Sequence, residues 1–290
     1  MKYPPKFPNF VFIGPDKSGS TWINKILNNH SSVYVSPAKD TYYFDRNYFR
    51  GKSWYLNQFP NSSKFPVVAE VCHDYLFSPI AAERIASDLP DVRLMVTLRE
   101  PIDRAYSAYL YMRALGMTRL SFEDAVLEYP NLLRNGLYGL HLESYFSLFE
   151  KSRIYVSVFD DLNSDPQLFA DHLFGYLGLD SISLSPSLQS AERAASQARF
   201  EILTRCVKQS ANLARQMGAP KLIGKVKSRP LVSKVLYRPL ASAARPAISE
   251  RTRSELRDFF CDDIHHLDSL TSGGFARRWG YSRPAVVCET

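Results

Sequence analysis

Short apolar runs alternate with helically spaced segments along the first 180 residues of the chain. Phe10-Val11-Phe12-Ile13 is apolar, aromatic and β-branched, which predicts a buried strand stopped by Gly14-Pro15. Ser18-Gly19-Ser20-Thr21 follows as a loop of small residues. From Trp22 the positions Trp22, Ile23, Ile26 and Leu27 fall on one helical face. Asn28–Pro66 loses this regularity and reads as an irregular stretch rich in Tyr, Phe and Trp. A second strand is predicted over Pro66–Val71, a helix over Pro79–Leu89, and a third strand over Val92–Leu98, nearly continuous in apolar residues as central parallel strands are. Pro101 is suited to open the next helix, which ends near Gly116. Short helices at Phe122–Glu128 and His141–Phe149, a strand at Arg153–Phe159 and a helix at Pro166–Leu177 complete the series.

Strands alternating with helices imply an α/β fold, a P-loop-like parallel sheet with right-handed crossovers and helices on both faces. Ligands of such sheets gather at the carboxyl ends of the strands, where the distinctive residues of this chain fall. The composition changes at Ser181. Ser181–Ser196 reads as an exposed connection, and residues 215–253 carry Lys221, Lys225, Lys227, Arg229, Lys234, Arg238, Arg245 and Arg251 against Glu250 alone. That basic run is either a solvated helical face or a docking surface for an acidic acceptor or an anionic membrane. Arg251–Leu270 regains helical periodicity and is expected to pack back on the core. The expectation is one domain over 1–290, with a cofactor-binding core at 10–180 and a mainly helical, basic extension at 181–290.

Composition narrows the class. An apolar fraction of 45% over 290 residues is ample for a packed core. No apolar run approaches ~18 residues, so no spanning helix is predicted, and the N-terminus lacks the apolar stretch of a secretory signal. Cys72, Cys206, Cys261 and Cys288 lie far apart with no C-x-x-C pair, which argues against a zinc site or a disulfide framework and fits a reducing, cytoplasmic setting. The net charge of +7 suits an enzyme handling anionic cofactors, and no nucleic-acid partner is expected.

A strand, a glycine-containing loop and a helix start together make an anion site, because the first-turn N–H groups and the positive end of the helix dipole face the loop. Lys17 adds a full charge at its rim; Ser18, Ser20 and Thr21 add hydroxyls. In the ATP-type loop G-x-x-x-x-G-K-[ST] the lysine follows the last glycine. Here Ser20 holds that position and the lysine comes earlier, at Lys17. The arrangement G-x-x-K-[ST]-G-[ST]-[ST] resembles the 5′-phosphosulfate loop of sulfotransferases that use 3′-phosphoadenosine-5′-phosphosulfate (PAPS).

A second motif points the same way. Arg99-Glu100-Pro101-Ile102-Asp103-Arg104-Ala105-Tyr106-Ser107-Ala108-Tyr109 lies at a strand-to-helix junction, where a guanidinium fork and a hydroxyl can converge on one phosphate. It resembles the 3′-phosphate motif of the same family, R-x-P-x-x-R-x-x-S-x-Y. Lys39-Asp40-Thr41-Tyr42-Tyr43-Phe44-Asp45-Arg46, with Tyr48, Gly51, Trp54-Tyr55 and Phe59-Pro60, is similar to a segment of the heparan sulfate and carbohydrate branch. Asn135-Gly136-Leu137-Tyr138 and Ile154–Phe159 with Asp161-Leu162 match that branch as well. The resemblance covers Phe10–Leu179, is weaker over Arg251–Trp279, and leaves Ser181–Glu250 unmatched.

The resemblance implies in-line sulfuryl transfer from PAPS, releasing 3′-phosphoadenosine-5′-phosphate (PAP), to a hydroxyl acceptor, a glycan or glycolipid. It implies a cofactor held by Lys17, Ser18, Gly19, Ser20, Thr21, Trp22, Arg99, Ser107 and Tyr138, with Lys17 also acting on the leaving oxygen, and no metal. Two residues compete for the base, Asp40 at the position of a glutamate in the heparan-type enzymes and His73 at the position of a histidine in the cytosolic enzymes. Glu70 is expected to orient a neighbour. One departure stands out: Val71 occupies a position that carries a lysine in both branches, so Lys39 or a C-terminal arginine would have to supply that charge. Three alternatives stay open: a lipid or small-molecule acceptor, a P-loop kinase or NTPase, and a non-catalytic nucleotide-binding relative.

Overall fold

The computed structural model describes residues 3–189, 196–198, 237–239 and 247–281. Five strands, β1 Phe10–Gly14, β2 Val33–Val35, β3 Val67–Val71, β4 Arg93–Leu98 and β5 Ile154–Val158, form a parallel sheet in the order β2-β3-β1-β4-β5. β3 and β4 flank β1 on opposite sides, so the connections diverge there and open a crevice at the strands' carboxyl ends. β1 is buried along its whole length. Its period of two sends Val11 and Ile13 into one apolar layer and Phe10 and Phe12 into the other.

Helices cover both faces. α1 Ser20–Asn29 and α9 Pro166–Leu177 share the second layer; α3 Pro79–Asp88, α4 Pro101–Ala114 and α7 Tyr138–Leu148 share the first. Short helices α2 Gly51–Leu56, α5 Phe122–Glu128, α6 Asn131–Arg134, α8 Phe159–Ser164 and α10 Pro186–Gln189 fill the connections. Backbone segments β6 Ser196–Ala198 and β7 Tyr237–Pro239 pair antiparallel. The long helix α11 Glu250–Thr271 buries Leu256, Phe260, Ile264 and Leu267 in the first layer, and α12 Phe275–Trp279 follows it. Most of the basic run at 215–253, and much of the extension at 181–290, lie outside the described residues. No helix among the described residues is long and apolar enough to cross a membrane.

Three boundaries differ from the local pattern, each for a tertiary reason. The stretch Asn28–Pro66 contains β2, a three-residue edge strand too short to show alternation, which pairs with β3. α1 starts two residues early, at Ser20, because the Trp22 and Ile23 N–H groups already donate to the Gly19 carbonyl, at 2.8 and 3.0 Å. α7 starts at Tyr138 rather than His141. The Asp263 carboxylate of α11 accepts the Gly139 and Leu140 N–H groups, both at 2.9 Å, and so caps the first turn from 124 and 123 residues away.

Candidate active site at the carboxyl ends of the strands

The loop after β1 turns left-handed at Lys17 (φ 65°) and Gly19 (φ 89°). Glycine adopts this conformation freely, whereas at Lys17 it stores strain of about 1–3 kcal/mol, of the kind that clusters at functional sites. At Gly19 there is also no room for a side chain, since a Cβ would lie 2.7 Å from Leu162 Cδ2. Gly19 therefore brings no side-chain cap to the first turn of α1, which leaves the Ser20 and Thr21 N–H groups to face the loop. Ser18 is fully buried, and its Oγ has no hydrogen-bond partner among the described residues. A buried orphan hydroxyl beside open helix donors fits an anion, and thus the phosphosulfate end of PAPS.

β4 leads into the second motif, which begins at Arg99. Arg99 is half-buried, and its Nη1 donates to the Lys17 carbonyl at 3.3 Å, so the two motifs touch through the backbone. Its guanidinium lies 4.9 Å from the Phe159 ring centroid. Burial lowers its pKa below the usual arginine range, against the opposing pull of Asp103 and other nearby anions. Buried Tyr138 donates to the Arg99 carbonyl at 2.8 Å and braces that turn from α7. Ser107, half-buried, lies one helical turn before Tyr111, whose ring centroid is 4.0 Å from the Lys17 ammonium. Thr21 is half-buried on the first turn of α1. Trp22 ties α1 to its neighbours: its indole N–H donates to the Leu188 carbonyl at 2.8 Å, and its ring meets Phe169 edge-on.

The two candidate bases meet at the end of β3: His73 follows the strand, and the Asp40 N–H, in the loop after β2, donates to the Val71 carbonyl at 3.0 Å. Asp40 and His73, alternatives in the sequence, are one hydrogen-bonded pair, with His73 Nδ1 2.7 Å from Asp40 Oδ1. His73 Nε2 lies 3.2 Å from Asp74 Oδ1. A carboxylate only accepts, so Nδ1 donates to Asp40, while Nε2 faces the Asp74 carboxylate at ion-pair distance. Burial works against a charged ring, but the Asp40 hydrogen bond and the charges of Asp40 and Asp74 outweigh it and raise the His73 pKa. For Asp40, burial pushes the pKa up, yet the hydrogen bond and charge of His73, with Lys39, hold it at about 2. Lys39 Nζ is 3.4 Å from Asp40 Oδ2 and 3.4 Å from Ser20 Oγ. This lysine joins the anion loop to the Asp40–His73 pair.

The backbone at Asp40 is also left-handed, at φ 60°, as it is at Tyr42, at φ 51°. A buried polar cluster behind this turn holds it. The Glu70 carboxylate accepts from Thr41 Oγ1, from Tyr55 OH at 2.5 Å and from Tyr75 OH at 2.9 Å. Thr41 Oγ1 and Tyr75 OH in turn accept the Tyr43 N–H, at 3.2 and 2.8 Å. Glu70 thus anchors the residues just after Asp40. Burial raises its pKa to about 7 despite three hydroxyl donors.

A stability prediction follows for Glu70. Its folded pKa of about 7 exceeds the ordinary 4.5, so the folded chain binds more protons than the unfolded chain between those values. Stability therefore falls as pH rises through that window, by up to about 3 kcal/mol from this group. Glu70→Gln removes the titration but leaves a buried amide N–H₂ among hydroxyls. Thermal melts should show the variant less stable than wild type at pH 5 and the gap narrowing by pH 8. A gap independent of pH would contradict the assignment.

The sequence signals missed three side chains at this site. Arg46 pairs with Asp74 and lies 4.3 Å from the Tyr42 ring centroid. Arg104, inside the second motif, is buried and donates to Asp16 Oδ1 at 3.2 Å and to the Leu132 carbonyl, bracing the anion loop from α4. Tyr111 is the third; only its i+4 spacing from Ser107 could have marked it. Among the described residues no group of three or more His, Cys, Asp or Glu is arranged to hold a metal ion.

An anion loop after the first strand, a phosphate-type arginine after the fourth and an acid–base pair between them define an α/β protein built around a phosphorylated ligand. The sequence matches the sulfotransferase domain over residues 7–205, and the chain belongs to that family. It is 29% identical over 194 residues to mouse bifunctional heparan sulfate N-deacetylase/N-sulfotransferase 4, covering 59% of this chain and 22% of that protein. It is 25% identical over 264 residues to mouse heparan sulfate glucosamine 3-O-sulfotransferase 3B1, covering 88% of this chain and 61% of that protein. The chain thus spans about a fifth of the length of the bifunctional relatives. The crystal structure of a sulfotransferase from Alicyclobacillus acidocaldarius has the same fold, with a TM-score of 0.66 at 20% identity over 92% of this chain and 96% of that one. Mouse sulfotransferase SULT7A1 complexed with PAP aligns with a TM-score of 0.51 at 11% identity, over 97% and 91% of the two chains.

Proposed function

We propose that this chain transfers a sulfuryl group from PAPS to a hydroxyl of a carbohydrate acceptor. The observation that carries the reading is the bridge from the anion loop through Lys39 to the Asp40–His73 pair, which sets an anion-binding helix start beside a carboxylate. The heparan sulfate relatives and the PAP-bound SULT7A1 support the acceptor class and the cofactor. When bound, PAPS supplies an activated sulfur whose bond to the phosphate oxygen breaks as the acceptor oxygen attacks.

In this reading Ser18, Gly19, Ser20 and Thr21 bind the phosphosulfate end through backbone N–H groups and hydroxyls, and Lys17 neutralises the leaving oxygen. Arg99 and Ser107 take the 3′-phosphate, with Tyr138 bracing Arg99. Trp22 borders the cofactor site and keeps α1 in place. Asp40 accepts the acceptor proton. His73 holds the Asp40 carboxylate in one orientation, itself oriented by Asp74. A cytoplasmic setting and contact of the basic segment 215–253 with an anionic surface belong to the same proposal.

Calorimetry tests the cofactor directly. PAP should bind with micromolar affinity, and ATP, with or without magnesium, should bind far more weakly. Equal or stronger binding of magnesium–ATP would return the loop to the kinase class, and no binding by either would sink the reading.

A further inference from the structure

A group passing from the anion loop to a hydroxyl beside Asp40 must cross the gap between the start of α1 and that carboxylate. One side chain touches both edges of the gap. Lys39 Nζ lies 3.4 Å from Ser20 Oγ, on the first turn of α1, and 3.4 Å from Asp40 Oδ2. Its side chain is 27% exposed, so the ammonium can exchange these weak contacts for a ligand oxygen. Lys17 approaches from elsewhere, with its ammonium over the Tyr111 ring on α4. Position 71 at the end of β3 offers no charge: Val71 is 1% exposed, in the apolar layer that β3 shares with α1.

We propose that Lys39 is a catalytic residue whose ammonium binds the sulfuryl oxygens between α1 and Asp40, while Lys17 serves the leaving phosphate oxygen. The proposal rests on the PAPS reading above. As the acceptor O–H bond breaks, its proton passes to Asp40 and an O–S bond forms. The S–O bond to the phosphate breaks, and its electron pair stays on the PAP oxygen. Lys39 keeps its proton throughout. Its charge offsets the repulsion between the sulfuryl oxygens and the Asp40 carboxylate, which would otherwise face each other across the gap. A lysine suits this place because its compact ammonium can reach Ser20, Asp40 and a third acceptor with three rotatable donors.

PAPS and PAP differ by the sulfuryl group alone, so their relative affinity reads this contact without any acceptor. Calorimetry on the whole chain would compare PAPS and PAP for wild type, Lys39→Met, Lys39→Arg and Lys17→Met. In Lys39→Met the affinity for PAPS should fall by ~10-fold, the loss of one charge-assisted contact, while that for PAP changes less than ~2-fold. Lys39→Arg should keep most of the PAPS preference, and Lys17→Met should weaken both ligands. Lys39→Met losing PAPS and PAP equally, or neither, overturns the proposal while leaving the cofactor reading intact. Wild type binding neither ligand overturns both.

Discussion

Asp40→Asn should lower the rate of sulfuryl transfer by ~100- to 10,000-fold, the range general-base residues contribute, while PAP affinity changes little. The amide keeps the size of the carboxylate and can still accept from His73 Nδ1, so the turn at Asp40 should persist. What it cannot do is take a proton. The carboxylate is held at about 2, so it is ionised at every working pH and wild-type activity should show no acidic limb from this group near neutrality. His73 supplies an independent readout. Its pKa is raised chiefly through Asp40, so loss of that charge should bring it down in an NMR titration. Single-turnover transfer of labelled sulfuryl from PAPS to a heparan-type polysaccharide gives the rate. Near-normal transfer with a lowered His73 pKa would mean that Asp40 is not the base.

The stability signs for this pair run in opposite directions. Asp40 has a folded pKa below its ordinary 3.8, so its contribution is present above that value and lost as pH falls toward about 2. His73 has a raised folded pKa, so its contribution is full below about 6.5 and is lost as pH rises through the folded value. The ion pairing of His73 with Asp40 and Asp74 should therefore weaken on the alkaline side.

Arg99→Ala should weaken PAP binding by ~30- to 150-fold, equivalent to about 2–3 kcal/mol for a buried, charge-assisted phosphate contact. Two effects add. The guanidinium fork is lost, and so is the donor that ties the Lys17 carbonyl to β4. Arg99→Lys retains the charge without the fork and should recover only part of the loss. Calorimetry measures both variants, with thermal melts to separate binding from folding. Buried Tyr138 and Phe159 hold the Arg99 backbone and plane, so the fork is preorganised and little entropy is lost on binding. Affinity within about threefold of wild type in Arg99→Ala would move the 3′-phosphate away from β4.

Much of this architecture was legible in the sequence, because its signals are local. Buried parallel strands have to be apolar on both faces; Phe10–Ile13 is, and Val92–Leu98 is nearly so, with only Arg93 and Thr97 polar. Pro101 and Pro166 open helices where the pattern puts them, and Gly178 closes one with a left-handed cap. The anion loop and the Arg99 motif are each contained in a single strand–turn–helix unit, so the spacing along the chain is also the spacing in space. β2 escaped because three edge residues carry no periodicity, and the start of α7 escaped because its cap, Asp263, belongs to another helix.

The sequence by itself determined the parallel α/β class, the family and the positions of the two strand–turn–helix motifs proposed to bind the cofactor's phosphates, all of which depend on contacts within a few residues. Only the tertiary structure decided that Asp40 and His73, 33 positions apart, are one pair rather than rivals. It also decided that Glu70 anchors the turn after Asp40 and that Lys39 reaches Ser20. The reason is the register. Parallel pairing of Phe12 with Val71 brings the end of β3 beside the loop after β1, and the His73 carbonyl lies so close that a Cβ on Gly14 would be 2.5 Å from it. Which charges then meet depends on how far each loop reaches over that seam, a distance that no spacing along the chain encodes.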